Sequence, residues 1–515
     1  MSRLIQNIKN NSLLIVSVIF ISGLLVLKPQ FLLAFLIINL FIITIHGSLQ
    51  LWWALKKETS ERSKETLINL ITFQKKSNNS IDSPEANQLY DKNKTGNKSP
   101  KISIHIPAYN EPSDILIATI QSCLDIDYPN FEIIVLDNNT PNQETWLPVR
   151  DFCSNKKNVF YYHIDNLQGY KAGALDVCME LTNPDSKYIF IVDADYRVST
   201  NCLKTAVEIA ENQNADLVQF PQDYYSNGKN SALIEEYAHY FRVFAKGGNY
   251  NNSVLATGTL SFYKREALEK VGGWKCNSIT EDAEMGLKFQ EKQLKSVFCE
   301  KTIGKGLLPF SIKDLKIQRE RWVYGNMQCI GKLFNSSEIS LRRKLSLMVQ
   351  LTSWVNFLNF SLLSALLSIM LFPLIPSIYF YQALTITASS LWVFISFKFI
   401  LFGISTNFKP KLHLKTWLIN LVFTGLNTFC WMGVLQGKSK PFERTSKFLI
   451  NTNQNLECSI LGLGLFTVSA MLALMENVIL ASLFLLPAIF IFSGQIILKQ
   501  QLNSRNTAIP NFKRS

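Results

Sequence analysis

No C-x-x-C pair occurs among the nine cysteines, and their number is odd. That pattern excludes a zinc ribbon and points to reduced, buried thiols in a domain facing the cytosol. The five histidines, His46, His105, His163, His239 and His413, show no metal-ligand or triad spacing, and G-x-S-x-G is missing. Zinc or serine hydrolase chemistry is therefore without support. Zinc-ligand spacings and RNA-binding motifs are absent too, so the net charge of +13 is not read as nucleic-acid binding. There is no internal repeat.

Charge is scarce near the two ends of the chain. Six stretches, roughly 12–28, 31–53, 346–372, 374–402, 457–475 and 477–497, are apolar enough to cross a bilayer, which takes about 20 residues. The first has the basic flank of a signal peptide. No small-residue cleavage site follows it, and the second apolar stretch begins at once, so a retained span is expected. Basic clusters border the stretches: Lys56-Lys57, Arg342-Arg343-Lys344, Lys409-Pro410-Lys411, Lys438 to Lys447 and Lys513-Arg514. These would face the cytosol.

A seventh apolar stretch, 415–436, joins two basic loops that both favour the cytosolic side. A segment joining two loops on one side cannot cross once. It is expected to lie in the membrane interface or re-enter, with an ordinary seventh span as the alternative. The expected organisation is two transmembrane helices over 1–55, a polar linker over 56–100, and a cytosolic catalytic domain over 101–335. Two transmembrane helices over 346–402 follow, then an interfacial helix and loop over 403–456, two more helices over 457–498, and a cytosolic tail over 499–515.

The linker is rich in Asn, Lys and Ser, a composition that does not build a core. After it, strands at Ile102–Ile106, Glu132–Leu136 and Tyr188–Val192 alternate with helices at Ser113–Leu124 and Gly173–Leu181. That alternation predicts an α/β domain with a mostly parallel sheet. Sites in such sheets lie beyond the carboxyl ends of the strands. This places Pro107–Glu111, Asp137–Thr140 and Asp193–Asp195 on one rim.

Four motifs carry chemistry. The apolar run Ile189–Val192 ends in Asp193-Ala194-Asp195. The turn beyond a strand can bring both carboxylates together, and hard oxygen ligands suit Mg²⁺ or Mn²⁺ shared with substrate phosphates. A solvated acidic turn is the plain alternative. Thr280-Glu281-Asp282 precedes an apolar run and reads either as a capped helix N-terminus or as a site for a general base. Gln318-Arg319-Glu320-Arg321-Trp322 combines a cation suited to phosphate with an indole suited to a sugar face. An interfacial anchor would look similar. Gly169-Tyr170-Lys171-Ala172-Gly173 sets a lysine at a helix start, fit for a diphosphate or for an ordinary turn.

Taken in order and spacing, Asp137, D-x-D at 193–195, T-E-D at 280–282 and Q-x-x-R-W at 318–322 resemble the processive membrane glycosyltransferases of family 2, which include cellulose and hyaluronan synthases. The resemblance covers about residues 100–330. It implies a GT-A type nucleotide-sugar transferase domain inserted between transmembrane helices. It also implies that Pro107, Tyr109, Glu111, Asp137, Lys171, Asp193 and Arg321 bind the nucleotide sugar and that Asp193 and Asp195 hold the metal. By the same resemblance Asp282 is the base, and Thr257, Gly258, Thr259, Glu281, Gln318 and Trp322 meet the acceptor. Phe442, Arg444, Thr445 and Lys447 resemble the F-x-V-T-x-K gating loop of bacterial cellulose synthase, with arginine in place of valine. A juxtamembrane lipid contact is the other reading of that basic stretch.

Asn138-Asn139 stands where cellulose synthases usually carry Asp-Gly. Together with Gly-Tyr-Lys-Ala-Gly-Ala-Leu and Gln219–Tyr224, this looks more like bacterial β-glucan synthases outside the cellulose group. The implied activity is inverting, metal-dependent transfer of glucose from UDP-glucose to a growing β-glycan, coupled to export from the plasma (inner) membrane. The 18 residues after Ile497 leave no room for a cyclic-dinucleotide domain, so regulation or export of that kind is expected to involve a partner subunit. A non-processive transferase acting on a lipid acceptor is the alternative within enzymes. A nucleotide-regulated transporter is the alternative outside them, disfavoured because the apolar stretches hold few charges, chiefly Lys398.

Overall fold

The computed structural model describes residues 12–55, 99–226, 231–437, 440, 444, 445, 447 and 459–505. At its centre lies a seven-stranded sheet of order β3-β2-β1-β4-β8-β6-β9. The strands are β1 Lys101–Ala108, β2 Phe131–Asn138, β3 Val159–Ile164, β4 Ser186–Ile191, β6 Leu217–Gln219, β8 Ser261–Lys264 and β9 Ser296–Phe298. Only β8 runs against its neighbours; the β1/β2, β1/β4, β2/β3 and β6/β9 pairs are parallel. A smaller sheet of order β5-β10-β7 joins Tyr196–Val198, Gly304–Gly306 and Asp223–Tyr224.

Both faces of β1 and β2 are buried almost throughout. This is why their sequences read as continuous apolar runs, as parallel strands covered by helices must. Helix Ser113–Leu124 matches its expected limits. The other elements extend a little past theirs, except that β4 begins two residues early and ends at Ile191, one residue short of Val192. Strand β2 runs on through Asp137 and Asn138, so Asp137 sits in the ladder opposite His163 and not in a turn.

Among the described residues, three helices are long and apolar enough to cross a membrane: Pro29–Leu55, Ser377–Ser405 and Val478–Asn503. The apolar stretches 12–28 and 457–475 form the shorter helices Ser12–Leu27 and Ile460–Leu474. The stretch 346–372, expected as one span, is not one helix. It breaks between helix Leu341–Leu351 and helix Asn359–Met370. Polar side chains satisfy the freed backbone groups, as burial away from water demands. Gln50 Nε2 donates to the Thr352 carbonyl and Lys398 Nζ to the Ser353 carbonyl, both at 3.3 Å, while Asn356 Oδ1 accepts from Leu358 N–H at 3.3 Å.

The segment 410–436 is bent by 50° between helices Pro410–Val422 and Thr424–Gln436. Its Ile419, Val422 and Phe423 join the core of the α/β domain alongside Leu233 and Tyr237. Helical segment and domain therefore share one packed interior.

Candidate active site

A cavity of about 360 Å³ opens where the carboxyl ends of β1 and β4 meet the helix Ile312–Asn335. Pro107, Tyr109, Glu111, Lys171, Asp193, Asp195, Thr257, Gly258, Glu281, Asp282, Gln318, Arg321, Trp322, Arg444, Thr445 and Lys447 all line it. Residues up to 340 positions apart in sequence thus face one space. Asp137 and Thr259 do not line it, and Phe442 lies outside the described residues.

Asp193 and Asp195 sit in the turn after β4, which closes with Tyr196 N–H donating to the Asp193 carbonyl at 3.0 Å. Each carboxylate meets a lysine. Lys171 Nζ lies 2.6 Å from Asp193 Oδ1, and Lys447 Nζ lies 2.5 Å from Asp195 Oδ2. Burial raises the pKa of Asp193, and Lys171 opposes that shift. Burial also works against the Lys171 ammonium, but Asp193 and Glu281 outweigh it and hold its pKa above the ordinary lysine value.

These two carboxylates fit Mg²⁺ or Mn²⁺. They are hard oxygen donors facing the cavity, and each already gathers a cation. No cluster of three or more His, Cys, Asp or Glu suited to a metal occurs among the described residues. The remaining coordination would fall to donor phosphates and water.

Asp282 lies in the first turn of helix Glu281–Glu291. Its Oδ1 accepts from the Ala283 N–H at 2.8 Å. Burial, and then the neighbouring Glu281, push its pKa up to about 7, against the pull of Lys171, the Ala283 N–H and Arg321. A carboxylate near pH 7 can both lose and accept a proton under ordinary conditions, as a general base requires.

The loop before this helix is pinned by Glu284, which accepts from Asn277 N–H at 2.9 Å and Ser278 N–H at 2.7 Å and pairs with Lys332. A Cβ on Gly325 would come 2.5 Å from Thr280 Oγ1. The Q-x-x-R-W helix therefore presses directly against T-E-D.

Gly258 bridges the two acidic groups. Its φ is +83°, and a Cβ there would stand 3.0 Å from Asp282 Oδ2 and 3.2 Å from Lys171 Nζ. Its carbonyl accepts from Lys171 Nζ at 2.9 Å. The loop is held from behind by Gln219, whose amide bonds Thr257 N–H at 2.9 Å and the Thr259 carbonyl at 3.0 Å. Thr259 turns inward, accepting from Asp193 N–H at 3.0 Å, so it braces the D-x-D turn. The Thr257 hydroxyl, buried in the cavity wall, meets no partner among the described residues.

On the helix Ile312–Asn335, Gln318, Arg321 and Trp322 fall at i, i+3 and i+4 and share the cavity face. Burial lowers the Arg321 pKa, and Glu281 and Asp282 counter it. Gln318 Oε1 accepts from the Tyr237 hydroxyl at 2.6 Å. Trp322 stacks on Trp354 with ring centroids 5.8 Å apart.

Arg444 pairs with Glu111, with Nε 3.1 Å from Oε1, and Nη1 donates to the Asn110 carbonyl at 2.5 Å. Burial raises the Glu111 pKa to about 7 in spite of Arg444. Lys447 Nζ also donates to the Leu307 carbonyl at 2.8 Å.

Asp137 is buried beside the site. It bonds His163 Nδ1 at 2.8 Å and Thr140 Oγ1 at 2.5 Å, and burial raises its pKa. Strand alternation points Asp137 away from the face that Asn138 presents to the cavity. Tyr224, the last residue of the Gln219–Tyr224 run, and Tyr237, Tyr240 and Trp354, which no motif marked, complete the aromatic wall. Aromatic residues scattered over separate segments carry no spacing.

Two family models match the chain. One describes "Glycosyl transferase family 2" and covers residues 103–272; the other describes "Glycosyl transferase family group 2" and covers 188–404. Among curated proteins, a cellulose synthase catalytic subunit (UDP-forming) of Xanthomonas axonopodis pv. citri is 26% identical over 239 residues, 44% of this chain and 32% of its own length. A probable glucomannan 4-beta-mannosyltransferase of Oryza sativa is 26% identical over 264 residues, 48% of this chain and 45% of its own. A cellulose synthase catalytic subunit of Komagataeibacter xylinus is 24% identical over 265 residues, 50% and 35% respectively. The chain thus spans less than half the length of each of these relatives. Residues 103–404, the union of the two matches, carry the domain of a family 2 glycosyltransferase.

Proposed function

We propose that the chain transfers glucose from UDP-glucose, with inversion, to the end of a growing β-glycan, and that its apolar helices give the product a route across the membrane. One observation carries this reading. The paired carboxylates Asp193 and Asp195, the half-buried Asp282 and the Gln318/Arg321/Trp322 face converge on a single cavity.

In the reaction, the acceptor hydroxyl oxygen forms a bond to the anomeric carbon as the bond from that carbon to the diphosphate oxygen breaks. The hydroxyl proton goes to Asp282; Oδ1 holds the Ala283 N–H, which leaves Oδ2 toward Gly258 as the accepting atom. The electron pair leaves on the diphosphate, whose growing charge Arg321, Lys171 and Lys447 can stabilise electrostatically. Mg²⁺ or Mn²⁺ held by Asp193 and Asp195 would supply Lewis-acid neutralisation of the diphosphate. Asn138 and Asn139 line the cavity and are assigned to the nucleotide, with Asp137 behind them holding Thr140 and His163. Trp322 offers a ring face to the acceptor sugar.

In this reading the protein is multi-pass, with the catalytic domain in the cytosol at the plasma (inner) membrane. The bent segment 410–436 is an interfacial or re-entrant element, in keeping with its 50° break. Its contact with the domain core supports that placement. An export subunit would take the polymer onward.

The test is purified full-length protein supplied in turn with UDP-glucose, GDP-mannose and UDP-GlcNAc plus Mg²⁺ or Mn²⁺, followed by sizing and linkage analysis. High-mass β-glucan is the expected product. A single labelled lipid and no high-mass glycan would instead support the glycolipid-forming alternative.

A further inference from the structure

The Q-x-x-R-W motif of this chain contains a second arginine that does not line the cavity. Arg319 is 1% exposed, and its guanidinium makes two bonds to the Glu236 carboxylate, Nη1 to Oε1 at 3.0 Å and Nη2 to Oε2 at 2.7 Å. Glu236 is 0% exposed. A buried ion pair is a poor device for stability, because desolvating both charges consumes most of the attraction. Its presence calls for another role.

The surroundings indicate one. The guanidinium carbon lies 3.8 Å from the ring centroid of Trp354 and 4.8 Å from that of Phe423, so the planar cation is sandwiched between the two rings. Tyr237 and Trp322 are also near, at 5.7 and 5.6 Å. Trp354, Trp322 and Tyr237 form the aromatic wall of the cavity. Arg319 therefore stands directly behind that wall. Phe423 occupies the break of the bent segment, and Asn420 from the same segment donates to Glu236 Oε1 at 2.8 Å.

We propose that Arg319 and Glu236 are positioning residues: a clamp that fixes the Trp354/Trp322 wall in the orientation needed to stack an acceptor pyranose, and ties it to the bent helical segment. The clamp acts before the acceptor arrives. Rings already locked lose less freedom on binding, so acceptor affinity rises without any new contact to the sugar. Only a planar, two-pronged cation can stack on Trp354 and chelate Glu236 at once; lysine keeps the charge but not the fork. The proposal rests on the transferase reading above.

The test uses full-length protein in detergent. Binding of cellohexaose is followed by quenching of tryptophan fluorescence, a readout that needs no turnover. The acceptor and donor KM values are measured separately with UDP-glucose. Arg319→Lys is expected to weaken cellohexaose binding about tenfold and raise the acceptor KM to match, with the donor KM within twofold of the parent.

Because one lone buried charge can unfold the protein, the paired variant Arg319→Met with Glu236→Leu is the decisive arm. It removes both charges together and keeps the site filled, leaving only the Asn420 amide without its acceptor, but lacks the clamp. A parent-like Tm with the acceptor defect retained supports the clamp. Full recovery of acceptor binding in the paired variant overturns it and leaves the pair merely structural. Cellohexaose binding by the parent without any sugar transfer would sink the transferase reading but not the binding-wall clamp. Parent protein that does not bind cellohexaose overturns the clamp itself.

Discussion

The pH dependence of sugar transfer tests the assignment of Asp282 most directly. Two half-buried carboxyls in the cavity, Asp282 and Glu111, both have pKa values raised to about 7. A general base works only when ionised. The rate should therefore climb with unit slope on the acid side of this value and level off above it. A single ionisation near pH 7 gives about a 25-fold rise between pH 5.5 and pH 7.5.

Glu111 titrates in the same window but pairs with Arg444. Variants separate the two. Asp282→Asn should lower the rate by roughly 10²–10⁴ and flatten the acid limb. Glu111→Gln should keep the limb while altering donor KM. The assay is release of nucleoside diphosphate from UDP-glucose, run at saturating donor and metal at each pH. An acid limb unchanged in Asp282→Asn would refute the assignment, since the titrating group would then be elsewhere.

Other consequences follow from single contacts. Gly258→Ala would place a methyl against Asp282 and Lys171 in a left-handed backbone; a loss of about 100-fold in transfer is expected, with Tm lowered only slightly, because the strain of such a residue is on the order of 1 kcal/mol. Asp195→Asn should cost roughly 10²–10³ in rate and raise the Mg²⁺ or Mn²⁺ needed for half-maximal activity, read by metal titration after chelator treatment. Asn356→Leu should lower the Tm in detergent and weaken activity, by about 2–3 kcal/mol of lost stability, since its side chain bonds Leu358 N–H, the Thr424 carbonyl and the Thr428 hydroxyl.

Much of the α/β domain was readable in sequence because its signals are local. A buried parallel strand is an apolar run, and helix Ser113–Leu124, which starts directly after Pro112, came out at its expected limits. The D-x-D and T-E-D motifs converge because one follows a strand and the other opens a helix at the same edge, while Q-x-x-R-W lies within the helix Ile312–Asn335 that packs against them. Asp137 shows where local reading stops. Whether an acid at a strand end lies in the ladder or beyond it depends on its neighbour strand, here through the pairing with His163. Arg319 was visible only as one letter of a motif. Its partner Glu236 is 83 residues before it, and Asn420, which donates to Glu236, is 101 after it in the chain, so no window around the motif contains them.

The failure at 346–372 has a different physical origin. Hydropathy sums side-chain transfer free energies, and on that measure the stretch is long enough to span. It takes no account of where backbone N–H and C=O groups find partners. A helix satisfies them internally; a break does so only if polar side chains reach in from elsewhere. Here Gln50, Lys398 and Asn356 do that for residues 352–358, and Thr428 and Trp431 bond Asn356 in turn. Each of these polar residues looks, alone, like a tolerated exception in an apolar run. Together they form a polar lining around an irregular backbone, and Trp354 of the cavity wall lies within that irregular stretch. If the break existed only by default, replacing Asn356 with leucine would make the stretch more apolar and leave stability unchanged or higher. If it is a built feature that presents Trp354 to the cavity, the same change leaves Leu358 N–H without its acceptor and Thr428 with only the Thr424 carbonyl, and stability and sugar transfer fall together.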